Sequence, residues 1–311
     1  MSYSIKWTAA FPDSFETRGW RPPEQLLSAT STAGPALLEF NKQLWCVHND
    51  GIASGARMWS AVFDGTAWQA ENPIDNNYTH SRPALAVFKP EGQDKEQLWC
   101  AYQGLNGYPF FLTSDNGQDW VGAPTIDAPL ASGPAIATFG NKLYYVYQGP
   151  TSGIGGDINM WYSWNAGQGW QTPSNVGTNS TSASLSLATS KTRLTCFYRS
   201  SMPVQWLYAA SNSGQGWTTP SAWDGQIAWG DATDAGPALC YLPSRDMLLG
   251  IYGAGGGFDE GYTELHYITT TGNSNSWSSP QTIKGVSRAL GTGVGLAMYN
   301  GVIFLAYCAA D

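Results

Sequence analysis

Six short apolar runs in this 311-residue chain end on an aromatic side chain: His48, Tyr102, Tyr147, Tyr198, Tyr252 and Tyr307. The residues that follow are polar or small: Asn49-Asp50, Gln103-Gly104, Gln148-Gly149, Arg199-Ser200, Gly253 and Cys308. A ring beside an amide, a carboxylate or a guanidinium suits a sugar. The ring face packs on C–H patches while the polar groups meet hydroxyls. This reading singles out His48, Asp50, Tyr102, Gln103, Tyr147, Gln148, Tyr198 and Arg199, with the near-identical strings AYQG and VYQG ranked first. Arg82, closing the polar stretch 76–82, and Trp229, in the Trp- and Asp-rich stretch 223–234, join them from between the runs. The same aromatics also fit plain packing between repeats, with their hydroxyls in water, and the sequence leaves both readings open.

The runs recur because the chain repeats. Residues 34–40 (GPALLEF), 82–88 (RPALAVF) and 133–139 (GPAIATF) each precede one of the runs KQLWCVHND, EQLWCAYQG and NKLYYVYQG. A third apolar stretch and a turn ending in tryptophan follow. Further copies run from Ala183 to Trp217 and from Gly236 to Trp277, and a last one starting at Gly293 holds only two strands. Its missing half is at the other end of the chain, in SIKWTAAF (residues 4–11), Trp20 and RPPEQL (21–26). Trp20, Trp68, Trp120, Trp170, Trp217 and Trp277 close the six copies. A repeat of about 50 residues holding several short alternating strands is the mark of a radial β-propeller. The expected fold is therefore all-β: six four-stranded antiparallel blades in a single domain, residues 1–311. The sixth blade, about 290–311 plus 3–27, joins both ends of the chain and leaves no open sheet edge.

Composition agrees. With 42% hydrophobic and 14% aromatic residues, the chain has ample apolar matter to pack blade on blade, although only 12% is charged. A net charge of −8 and no basic run argue against nucleic acid, whose phosphates need clustered cations. No apolar run approaches the ~18 residues of a membrane helix, so no membrane insertion is expected. The start, MSYSIKWTAAF, shows no secretory leader, which gives the expectation of a cytoplasmic protein or one released without a signal peptide. Cys46, Cys100 and Cys196 occupy the same place in three copies, too far apart for a bridge that needs Cα atoms within ~7 Å, and read as small buried hydrophobes. The glycine-rich stretches 149–157 and 253–262 lack the Lys-Ser/Thr of a phosphate loop, and Asp157, Asp259 and Glu260 lack EF-hand spacing. No cofactor and no metal are expected.

Residues 113–120, TSDNGQDW, have the form S/T-x-D-x-G-x-x-W, in which an Asp carboxylate is expected to accept turn amides, Gly to take a positive φ and Trp to pack the turn. SWNAGQGW (163–170), SNSGQGW (211–217) and DGTAW (64–68) are variants. Here the chain resembles the Asp-box propellers, meaning the sialidase-like fold and the fungal and bacterial propeller lectins. The resemblance implies a carbohydrate-binding, non-enzymatic and multivalent lectin whose partners are glycans or glycoproteins. Two alternatives stand beside it: a sialidase-like glycoside hydrolase and a protein-binding scaffold. Sialidase chemistry, in that family, uses three substrate-holding arginines and an Arg-Ile-Pro run. The chain has eight arginines and no Arg-Ile-Pro, so no catalytic residue is assigned.

Overall fold

The computed structural model describes residues 3–51, 56–149, 159–181, 183–200, 206–219, 221–226, 236–254, 262–271, 274, 276–289 and 292–309. The chain opens with β1 (Tyr3–Ala10), a single-turn helix α1 (Phe15–Arg18) and β2 (Glu24–Ser31). Blade one then comprises β3 (Ala36–Phe40), β4 (Gln43–Asn49), β5 (Arg57–Phe63) and β6 (Asn72–Tyr78). Blade two is β7 (Ala84–Phe88), β8 (Gln97–Gln103), β9 (Pro109–Ser114) and the short β10 (Val121–Ala123). Blade three is β11 (Ala135–Phe139), β12 (Lys142–Gln148), β13 (Asn159–Asn165) and β14 (Ser174–Ser180). Blade four is β15 (Ser186–Thr189), β16 (Leu194–Arg199), β17 (Trp206–Asn212) and β18 (Ser221–Gln226). Blade five is β19 (Ala238–Leu242), β20 (Met247–Ala254), β21 (Tyr262–Thr271) and β22 (Gln281–Ala289). Blade six is β23 (Val294–Tyr299) and β24 (Val302–Cys308), completed by β1 and β2.

The closure is as the repeat predicts. Ile5 pairs with Cys308 and Ala10 with Ile303, all antiparallel. The fourth strand β2 runs on to Ser31, beyond the expected end of the blade. Phe15 of α1 fills the seam with blade five, 5.2 Å from the ring of Tyr267, and Arg245 of blade five bonds Glu16 at 3.0 Å.

Second strands such as β4 and β12 are buried on both faces, which is why they read as unbroken apolar runs. Their inward turns are tight: Asn41 and Lys42 both take positive φ (51° and 60°), as do Asn300 and Gly301 (47° and 73°). That is the two-residue hairpin geometry whose twist matches the strands. Between blades lie six apolar clusters, and each recruits one repeat-closing tryptophan: Trp20, Trp68, Trp120, Trp170, Trp277 and Trp217. The inner strands ring an axial cavity of about 330 Å³. Their free edges are partly capped by hydroxyls of a neighbouring blade. Thr138 donates to the Val87 carbonyl (2.5 Å) and Thr189 to that of Thr138 (2.6 Å), while Ser186 accepts from the Leu239 amide (2.9 Å).

The Asp-box chemistry differs from expectation. In blade two the turn amides of Gln118 and Asp119 are held by the Asn116 side-chain oxygen (2.8 and 2.9 Å), while Asp115 reaches out to Gln97. Asn165 and Asn212 do the same work for Gly167 and Gly214, and among the described turns the acceptor is an aspartate, Asp64, in blade one alone. Hydrogen bonds from Thr66 and Ala67 hold its carboxyl down to about 2. The shared element is an Asx turn.

Candidate functional site

In five blades the third and fourth strands slip register near the face that carries the loops between second and third strands. The breaks fall between Ser4 and Lys6, Arg57 and Trp59, Asn159 and Trp161, Trp206 and Tyr208, and Glu264 and His266. Residues looped out of the fourth strand make the bulge, with positive φ at Leu27, Asn76 and Gly285, just after the buried anchors Leu26, Ile74 and Ile283. Bulges re-aim side chains, and here they open the clefts between blades on that face. Blade two has no such bulge, since β10 is only three residues long.

The six aromatics that end the second strands all point into these clefts, toward the preceding blade, but lie at their floor. His48, Tyr102, Tyr147, Tyr198, Tyr252 and Tyr307 are each 4% exposed or less. Burial drives the phenols of Tyr102, Tyr147 and Tyr252 upward, that of Tyr147 to about 12. The polar residue after each aromatic faces the other way, because successive strand residues alternate. Asn49 bonds Ser31, Thr32 and the Thr79 carbonyl, and Gln103 donates to the Leu130 carbonyl at 2.6 Å. Gln148 and Arg199 are as deeply buried. Aromatic and following amide therefore serve two different seams, and Gln103, Gln148 and Arg199 do not share a cleft with their neighbouring rings. Arg82, expected on a loop, is buried at the propeller axis, where its guanidinium meets main-chain carbonyls. Trp229, Asp157, Asp259 and Glu260 lie outside the described residues.

What the clefts do present is the layer above the floor, carried by the third strands. Trp59 stands opposite His48, Phe110 opposite Tyr102, Tyr208 opposite Tyr198 and His266 opposite Tyr252. Among the described residues, the cleft between blades six and one is the most richly equipped. Asp50 accepts the Arg57 amide (3.1 Å) and the Trp59 indole N–H (3.4 Å), and the Arg57 guanidinium lies 5.7 Å from the Trp59 ring. Below, His48 Nε2 meets Glu71 Oε1 at 2.6 Å while its Nδ1 faces the Asn49 carbonyl at 2.9 Å. Of the residues expected here, Asp50 and His48 are brought together with Arg57, Trp59 and Glu71, which sequence reasoning missed. The signal was there in part: Trp59 pairs with His48 across the second and third strands, Arg57 lies two residues before it on the third, and Glu71 stands just before the fourth.

The cleft between blades one and two is aromatic and uncharged. Phe110, 39% exposed, stacks on Tyr102 at 5.6 Å, and the Tyr102 hydroxyl donates to Asn77 of blade one at 2.6 Å. The cleft between blades four and five sets Tyr252 against His266, with Glu264 3.8 Å and Thr282 3.3 Å from the imidazole. Burial lowers the His266 pKa, and Glu264 pulls it partly back.

These features define a closed six-bladed β-propeller, and solved structures share it. The fucose-specific lectin from Aleuria aurantia superposes with a TM-score of 0.65 at 14% identity, over 89% of this chain and 88% of that one. BP39L lectin from Burkholderia pseudomallei gives 0.59 at 15% identity, over 86% and 75%. An α-L-arabinanase from Penicillium chrysogenum, complexed with arabinobiose, gives 0.56 at 11% identity, over 99% and 98%. No protein-family model and no curated protein matches the sequence.

Proposed function

We propose that this protein is a non-enzymatic propeller lectin that takes terminal sugars in the inter-blade clefts of its loop face. The observation that carries the reading is the cleft between blades six and one, where the Trp59 indole, the Arg57 guanidinium and the Asp50 carboxylate meet, with Glu71 held by His48 beneath them. The Trp59 ring offers a platform for sugar C–H groups, Arg57 donates to ring or hydroxyl oxygens, and Asp50 and Glu71 accept from hydroxyls. The cleft of Phe110, Tyr102 and Asn77 is a second, less polar site. Because the clefts differ in their side chains, they differ in affinity, and multivalency comes from unlike sites held on one ring. The lectin structures of the same fold support this assignment, and the arabinanase marks the competing one.

The test is a glycan array followed by calorimetric titration of the best ligand with Trp59→Ala and Phe110→Ala. Loss of one stacking ring should weaken its own site about tenfold or more and leave the other intact. Sugar released from arabinosides would replace the lectin with a hydrolase, and an array without signal would point to a protein-binding scaffold.

A further inference from the structure

Each inner strand is entered through the same two-residue step: Gly34-Pro35, Arg82-Pro83, Gly133-Pro134, Ser184-Leu185, Gly236-Pro237 and Gly293-Val294. Four of the six first positions are glycine and one is serine, and the structure shows why. The steps crowd one another. A Cβ on Gly34 would lie 2.2 Å from the Gly293 carbonyl oxygen. On Gly236 it would lie 1.6 Å from the Ser184 oxygen, and on Gly133 it would lie 2.8 Å from that of Arg82. At the sixth position stands the longest cationic side chain available. Arg82 leaves blade two, passes Gly293 with its Cδ where a Cβ would be 2.8 Å away, and ends among carbonyl oxygens of three other blades. Its Nη1 donates to Val294 (2.9 Å) and its Nη2 to Leu185 (2.7 Å), with Pro237 at 3.5 Å. These acceptors are the second residues of the steps of blades six, four and five.

Blades of a propeller touch their neighbours, and blade two has only blades one and three beside it. Arg82 spans the axis to the three it does not adjoin. Its side chain is 6% exposed. Among the described residues the like charge of Arg288 acts on it, and burial and Arg288 together press its pKa down to about 10. A buried cation answered by carbonyl dipoles is costly to keep and pays only through what it holds together. The Nη distances to Val294 and Leu185 are those of N–H···O bonds, and Pro237 lies just beyond. We propose that the loop-face end of the axial cavity is a binding site for guanidinium-type cations, built from main-chain carbonyls and filled by the protein's own Arg82, which acts there as an internal ligand tying blade two to blades four, five and six.

Arg82→Gly restores the residue used at four of the other steps and empties the site. The expected result is a Tm lowered by about 5 °C or more. Methylguanidinium at about 50 mM, where its denaturing action is slight, should win back much of that loss. Methylammonium should not, and neither salt should raise the Tm of the unaltered protein. An unchanged Tm in Arg82→Gly, or an equal response of both proteins to methylguanidinium, overturns the proposal. If Arg82→Gly does not accumulate in soluble form, Arg82→Lys decides. Its ammonium keeps the charge but cannot span three blades, so a lowered Tm without methylguanidinium response is expected, and a Tm equal to that of the unaltered protein overturns the assignment.

Discussion

Gly117 sits in the turn between β9 and β10 with φ at 80°, and a Cβ there would lie 2.3 Å from Cζ2 of Trp45 in blade one. That ring cannot swing clear: Trp45 is 1% exposed and its indole N–H donates to the Phe40 carbonyl at 3.3 Å. Gly117→Ala therefore carries two costs, a left-handed backbone at roughly 1–2 kcal/mol and an overpacked seam at roughly 1–3 kcal/mol. The sum is about 2–5 kcal/mol, or a Tm drop of about 3–8 °C in a chain of this size. Gly169, in the corresponding turn of blade three, has φ at 98° with nothing within 4 Å of its Cβ position. Gly169→Ala isolates the backbone cost and should lower Tm by about 1.5–3 °C. Differential scanning calorimetry of the two variants side by side reads the difference as the worth of the turn as a blade-to-blade contact. Equal losses would refute the idea that this glycine is selected by the neighbouring blade as well as by its own turn.

Alkali should unfold the protein. Burial raises the thiols of Cys46, Cys100, Cys196, Cys240 and Cys308 above their ordinary value of 9.0, those of Cys240 and Cys308 to about 12. Because the folded state holds these protons more tightly, stability is flat below pH 9 and falls from there toward 12. With three to four thiols ionised only in the unfolded chain near pH 9.5, the slope is roughly 5 kcal/mol per pH unit. Urea midpoints between pH 7 and 10.5 should show the break, and a midpoint that does not move would contradict it. Arg82, depressed to about 10, acts in the opposite sense above that pH with a single proton. Gly104→Ala is expected to act on the cleft between blades one and two alone, since a Cβ there would lie 2.5 Å from Cε2 of Phe110. The near-ultraviolet circular dichroism should change and binding in that cleft should fall, with binding at the Trp59 cleft unaltered.

The blade count, the closure and the six seam tryptophans were legible because each repeats at a fixed offset, and repetition survives substitution. The site was legible only in part. Reading along a strand placed Tyr102 and Gln103 side by side, whereas the alternation of side chains sends one to each neighbouring seam. Trp59 and Phe110 belong beside His48 and Tyr102 through antiparallel pairing across strands, a relation that sequence order hides. The bulges that open the clefts follow from residues looped out of the fourth strand, which register alone reveals. Arg82 read as the end of a polar stretch between repeats, and nothing in a linear repeat says that the first positions of its inner strands converge on an axis. Asp115 carried the expected motif letter while its neighbour Asn116 took the chemistry, because either side chain can fold back on the turn.

Blade six joins strands that are almost the full chain apart, Ile5 against Cys308. On a ribosome adding roughly 5–20 residues per second, β1 emerges about 15–60 s before its partner β24 exists. The other five blades are each made of consecutive strands and form as they appear, so the nascent chain is a growing arc with one unpaired edge at its leading end. Ala10 and Phe15, buried against blade five in the finished ring, stay uncovered until that blade is made. Ring closure is thus a late event of synthesis, and a chain halted before residue 302 presents the folding machinery with five sound blades and a β1–β2 hairpin whose β1 edge has no strand to pair with.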